Sequence, residues 1–130
     1  MSKRDILKFE GCSRAWQQAL SRAGLTLDDL SFVETHDCFT IAELIEYEAM
    51  GLTAEGQGAR AVMDGWTQKD GKLPINPSGG LKAKGHPIGA TGGMLVGTLL
   101  DELERRQLKR GLVTLCVGGG MGIATIVERV

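Results

Sequence analysis

Three short turns constrain this chain more than anything else in it. Each sets a histidine or a cysteine among residues small enough for backbones to approach closely. They are His36-Asp37-Cys38-Phe39, Gly85-His86-Pro87-Ile88-Gly89-Ala90-Thr91-Gly92-Gly93 and Cys116-Val117-Gly118-Gly119-Gly120. The chain has two histidines and three cysteines, and four of those five residues lie in these turns. Each turn falls where an apolar strand pattern ends or a helical pattern begins, which is where α/β folds keep their chemistry.

The stretches between the turns predict an α/β domain. Phe9, Cys12, Trp16, Ala19, Leu20 and Ala23 recur at helical spacing ahead of Gly24. Residues 30–35 (L-S-F-V-E-T) predict a short strand, and Phe39, Ala42, Ile45 and Ala49 restore helical spacing as far as Gly51, with Glu43, Glu46 and Glu48 on the wet side. Residues 54–63 predict a short helix containing two glycines. Residues 65–80 have two prolines and no apolar period, which predicts a loop with an extended piece at 73–76. Residues 89–107 predict a long helix, buried at its small, apolar start and wet through Asp101, Glu102, Glu104, Arg105 and Arg106. Residues 111–117 and 122–129 predict two strands closed by the glycine run as an antiparallel hairpin.

Composition narrows the function. A chain of 130 residues is read as one domain, 1–130, that buries roughly two thirds of its unfolded surface. A net charge of -1 gives no electrostatic reason to expect nucleic acid or an anionic membrane as partner. The basic cluster Arg105, Arg106, Lys109 and Arg110 is read as offsetting a helix dipole. No run approaches the ~18 apolar residues of a membrane span, and residues 1–10 are too charged for a secretory leader. An odd cysteine count without paired spacing predicts reduced thiols and a cytoplasmic setting.

Each turn has an ordinary reading and a chemical one. Asp37 is read as a local helix cap. His36 reads equally as a pocket donor or as a half-buried histidine satisfied by backbone. Cys38, ahead of a helix, is expected to have a lowered pKa, or else to be a small buried hydrophobe. Pro87 fixes the chain after His86, so that imidazole can polarise a carbonyl or take a proton near neutral pH. A phosphate loop fails on spacing, because no G-x-x-x-x-G-K-[ST] run is present. Gly118, Gly119 and Gly120 form a tight turn that can also offer backbone N–H groups beside the Cys116 thiol. A metal centre of His36, Cys38, His86 and Cys116 has suitable atoms but no C-x₂-C-like spacing, so no metal ligand is assigned.

With these residues in view, a family resemblance emerges. G-H-P-I-G-A-T-G and C-V-G-G-G-M-G resemble the two C-terminal signature turns of thiolases, the acyl-CoA C-acyltransferases. A-G-L-T-L-D-D-L-S-F-V-E-T-H-D-C-F resembles the segment leading to a third signature. Where most thiolases have N-E-A-F, this chain has H-D-C-F, the form of the sterol-carrier-protein-2-like branch. The resemblance runs from about Phe9 to Val130 and covers only the C-terminal half of a thiolase. It implies a layered α-β-α domain with a mixed sheet.

The resemblance also implies roles. His86 matches the histidine that activates the nucleophile and helps bind the thioester oxygen, and Cys116 matches the acid/base cysteine. Gly118, with Gly119 beside it, supplies oxyanion-hole backbone near the substrate. His36 takes the place of the asparagine that holds an oxyanion-hole water, and Phe39 lines the acyl pocket. Cys38 competes with Cys116 for the acid/base role, and Cys116 is preferred because the whole glycine turn follows it. Cys12 is read as core.

The implied activity is Claisen condensation or thiolytic cleavage of 3-ketoacyl-CoA, with coenzyme A thioesters as substrates and no further cofactor. The nucleophilic cysteine belongs to the N-terminal half, so the isolated chain is expected to be inactive. Expected partners are CoA or acyl-CoA and either a second copy in a homo-oligomer or a separate N-terminal half. The alternative is a non-catalytic acyl-CoA-binding or assembly module. Residues 89–100 are too apolar for a solvent-facing helix, which predicts self-association.

Overall fold

The computed structural model describes residues 5–130. Residues 1–4, part of the stretch read as too charged for a leader, lie outside them. Helix α1, Glu10–Ala23, buries Cys12 and Trp16 one turn apart, and Gly24 closes it in the left-handed conformation. A single 3-10 turn, Leu27–Asp29, leads into strand β1, Phe32–Glu34. Helices α2 (Thr40–Ala49), α3 (Gly58–Met63), α4 (Gly80–Lys84) and α5 (Thr91–Arg105) follow. Strands β2 (Arg110–Val117) and β3 (Met121–Glu128) close the chain.

The three strands lie in the order β1-β2-β3. β1 runs parallel to β2, with Val33 beside Leu112, and β2 and β3 form the expected antiparallel hairpin, with Cys116 opposite Gly122. Parallel neighbours require a long crossover, and everything between residues 35 and 109 serves as one. The extended piece expected at 73–76 is present as a parallel bridge from Ile75 to Val33.

Strand alternation sorts the core into two clusters on opposite faces of the sheet. Val33 and Leu112 pack with Cys12, Trp16, Tyr47 and Met50 on one face. Phe32 and Val113 pack with Leu81, Leu95, Leu99 and Leu103 on the other. Helix α1 lies against β2 and β3, and α5 against β1 and β2, which gives the layered α-β-α arrangement. Each fully buried aliphatic or aromatic side chain stabilises by about 1.5–3 kcal/mol. Helix α1 sits unusually close to the hairpin, since a Cβ on Gly122 would come 2.6 Å from the Cys12 backbone nitrogen. That contact puts Cys12 directly over the ladder position of Cys116.

Three expectations change. The helix expected over residues 54–63 begins only at Gly58, because Gly56 takes a left-handed φ of 74°. Helix α4 falls at the end of what reads as a loop; five residues are too few to show a period. The start of α5 is only half buried. Thr91, Leu95 and Leu99 face inward, while Val96 and Leu100 are exposed. Among the described residues, no helix is long and apolar enough to cross a membrane.

Candidate active site

The site begins where β1 ends. Asn76, at a φ of 48° that few residues other than Gly, Asn and Asp adopt, folds its side chain onto Thr35. Its Oδ1 accepts from the Thr35 backbone N–H at 2.8 Å, and its Nδ2 donates to Thr35 Oγ1 at 3.2 Å. The next residue, His36, is thereby fixed at the edge of the core. Asn76 was not singled out in the sequence; the only sign of it there is the turn pair Asn76-Pro77.

Asp37 is not a local cap. Its buried carboxylate accepts from the backbone N–H groups of Leu81 at 2.7 Å and Lys82 at 3.4 Å, and pairs with Lys82 Nζ at 3.3 Å. It caps α4, 44 residues further along the chain, while α2 starts without any side-chain cap. Gly80 makes room for this contact, because a Cβ there would meet Asp37 Oδ2 at 2.4 Å. Asp37 thus joins the His36 loop to the short helix that carries the His86 turn.

The two turns meet through their imidazoles. His36 Nδ1 lies 2.8 Å from Cys116 Sγ, and His36 Nε2 lies 2.9 Å from His86 Nε2. The rings are nearly perpendicular, with centroids 4.7 Å apart. His86 Nδ1 lies 2.6 Å from Thr91 Oγ1, whose hydroxyl donates to the Pro87 carbonyl at 2.9 Å. That last bond orients the whole chain. The Thr91 hydroxyl, having donated, accepts from His86 Nδ1–H. Neutral His86 then accepts at Nε2 from His36 Nε2–H, and His36 Nδ1 accepts from the Cys116 thiol. One set of neutral tautomers satisfies every link.

Neither thiol of the site is lowered toward neutral pH. Contact with the Cys12 thiol and burial push Cys116 up to about 12, despite the lowering influence of His36. Burial also raises Cys38, and the neighbouring Cys116 adds to the rise. The lowering expected from a helix start fails for Cys38 because α2 begins only at Thr40, and one backbone N–H does not offset desolvation. Both sulfurs rest as thiols at neutral pH. Cys12 is core, as read from the sequence, at 2% exposure. It also lines, with His36, Cys116, Gly118, Gly119 and Gly120, one open cleft of about 850 Å³.

A further carboxyl group lies behind the site. Glu46 is buried and has no well-formed hydrogen bond to either oxygen. Burial pushes it up to about 9, although the nearby Thr35 hydroxyl favours the charged form. It reads in the sequence as part of the wet side of a helix, which is why it goes unnoticed there. Phe39 is 70% exposed at the head of α2 and is not among the residues lining the cleft. The structure therefore brings together His36, Cys38, Cys116 and His86, and sets Gly118 and Gly119 beside them.

Residues 1–127 match the family model described as Thiolase C-terminal domain-like. The chain belongs to that family. This thiolase C-terminal domain is 40% identical over 130 residues to an acetyl-CoA acetyltransferase of Methanothermobacter thermautotrophicus, covering 95% of this chain and 34% of that protein. It is 43% identical over 126 residues to sterol carrier protein 2 of Homo sapiens, covering 94% of this chain and 23% of that protein. With an acetyl-CoA acetyltransferase of Chromobacterium violaceum it shares 44% identity over 115 residues, covering 88% and 25%. The domain spans only about a quarter to a third of the length of these relatives.

Proposed function

We propose that this domain supplies the acid–base and oxyanion-binding part of an acyl-CoA C-acyltransferase, which condenses acyl-CoA units or cleaves 3-ketoacyl-CoA with CoA. The observation that carries this reading is the unbroken chain Cys116–His36–His86–Thr91. Removing a proton α to a thioester puts charge on the thioester oxygen, so base and oxyanion donor must act together. One proton shift within this chain accomplishes both. Passing the Cys116 proton to His36 Nδ1 leaves a thiolate to receive the carbon-bound proton. It also leaves an imidazolium whose Nε2–H becomes a stronger donor.

His36 Nε2–H is the donor: a thioester oxygen arriving beside it takes over the hydrogen bond that His36 gives His86, which leaves the His86 Nε2 lone pair free to take a proton. Gly118, at the mouth of the same cleft, contributes backbone to a second oxyanion position. The nucleophilic cysteine of the reaction comes from a polypeptide segment outside these 130 residues. Exposed apolar side chains at Val96, Leu100, Val117, Met121 and Ile123 support docking of this domain against another protein body, whether that segment or a second copy.

The test uses a chimera in which this chain replaces the matching third of the Methanothermobacter relative. Thiolysis of acetoacetyl-CoA is expected from the chimera and absent from the 130-residue chain alone. His86→Ala or Cys116→Ala should lower kcat of the chimera by about 10²–10⁴. Thiolysis by the isolated chain, or a Cys116→Ala chimera at full rate, would overturn the reading.

A further inference from the structure

The same residues meet a second chemical requirement that acyl transfer does not call on. His36, Cys38 and Cys116 present one nitrogen and two sulfurs, all within 4.8 Å of one another. We propose that these three side chains form a binding site for a thiophilic divalent cation of the zinc class, with the fourth coordination position open to the cleft. The inference concerns binding only, and it stands whether or not the domain takes part in acyl transfer.

The donor set is the first argument. Two thiolates and an imidazole suit zinc and disfavour magnesium or calcium, which take oxygen ligands. Ligand separations of this size bring a central ion near the ~2.3 Å of a zinc–sulfur bond and the ~2.0 Å of a zinc–nitrogen bond after small side-chain rotations. Sequence spacing hides the site because Cys116 comes from β2, 78 positions after Cys38 by their numbering. The His36–Cys38 pair is held by a tight turn, in which the Cys38 N–H donates to the His36 carbonyl at 2.8 Å.

The surroundings supply the second argument. A metal-binding imidazole ordinarily gives its other N–H to an acceptor that fixes its tautomer. Here that arrangement exists in advance: with Nδ1 on the metal, His36 Nε2–H donates to His86 Nε2, and His86 is held in turn by Thr91 and Pro87. Access is open as well, because His36 and Cys116 line the large cleft. Binding replaces two S–H bonds with two metal–sulfur bonds and releases both protons to solvent. Occupation therefore removes Cys116 from acid–base service, and zinc acts as a reversible block.

The experiment needs no substrate, so its outcome is separate from that of the chimera. The purified chain is titrated with Zn²⁺ against a chromophoric chelator, and with Co²⁺ as a spectroscopic probe. One equivalent of Co²⁺ should bind with thiolate-to-metal charge-transfer absorption, and one equivalent of Zn²⁺ should protect Cys38 and Cys116 from iodoacetamide in the unmutated protein. Cys38→Ser and Cys116→Ser should each weaken binding at least tenfold, and His86→Ala by about tenfold through loss of the outer hydrogen bond. Circular dichroism checks that each variant keeps its fold. The proposal is overturned if zinc leaves alkylation of both cysteines unchanged. It also falls if cobalt binds without charge transfer, or if folded Cys38→Ser and Cys116→Ser variants retain full affinity.

Discussion

The two histidine turns reach the same point by different means. The His36 loop is built into the core: Thr35, His36 and Asp37 are buried, and Asn76 and α4 fasten the loop from two sides. The Gly85–Ala90 turn lies at the surface, with Ile88 92% exposed. Apart from its backbone, it is held by what His86 and Thr91 bond to. One imidazole is thus fixed by the fold, and the other is delivered to it by an exposed turn. The buried side supplies the donor, His36 Nε2–H, and the exposed side its acceptor, His86 Nε2.

Removing the joint between the two regions should have the largest effect. Asp37→Ala strands the N–H groups of α4 and leaves Lys82 with Glu43 as its remaining ion-pair partner. Urea denaturation should show a loss of about 2–4 kcal/mol, the cost of removing a helix cap and leaving the buried Leu81 N–H unsatisfied. A loss below about 1 kcal/mol would mean that the two turns are not coupled through Asp37.

Glu46 sharpens the comparison from the buried side. Its carboxyl titrates near 4.5 in an unfolded chain and is pushed up to about 9 in the native one. Between those values the unfolded chain has released a proton that the native chain still holds. Stability therefore falls as pH rises through that window, and levels off above about 9. Glu46→Gln should flatten this dependence and raise stability at pH 7 by on the order of 2 kcal/mol. The gain should vanish below about pH 4.5, where Glu46 is protonated in both states.

Thr91→Val acts on the surface turn. It keeps the buried shape but removes the hydroxyl that fixes His86 Nδ1–H. The Pro87 carbonyl retains the Ala90 and Thr91 backbone N–H groups, so stability should fall by only about 1 kcal/mol. The sharper readout is ring-nitrogen NMR, in which His86 should lose its single tautomer. His36, held by the loop, should keep its Nδ1 contact with Cys116.

The regular framework was largely legible in the sequence. β3, α1, α2 and α5 follow from apolar periods of 2 and 3.6 residues, because one buried face suffices to write such a pattern, and β2 from a short, mostly apolar run buried on both faces. The site was legible in its residue types, since His36, Cys38, His86 and Cys116 stand out by rarity and by their turns. What could not be read were partnerships across the crossover. Asp37 looks like a cap for the next helix, and only the folded chain shows that its carboxylate serves α4. Glu46 shares the spacing of the wet face of α2, yet it is buried beside Thr35 and Cys116. The contact of Cys12 with Cys116 depends on how near α1 comes to Gly122, which no local pattern encodes.

The smallest effect belongs to Lys84, one residue before the surface turn begins. Its Nζ bonds Ser78 Oγ and, at 3.0 Å, Thr98 Oγ1. Both contacts are exposed, and exposed contacts of this kind contribute little. Lys84→Ala should therefore change stability at pH 7 by no more than about 0.5 kcal/mol. Its consequence lies in charge, because buried Glu34 is pushed up to about 7 by desolvation, against the lowering pull of Lys84. Without the ammonium, that carboxyl should titrate still higher, a shift that carbon-detected NMR of the glutamate side chain can follow. If the Glu34 titration stays where it is while the fold is intact, the surface turn does not communicate electrostatically with the end of β1. The imidazole contact then remains the route by which the two regions sense each other.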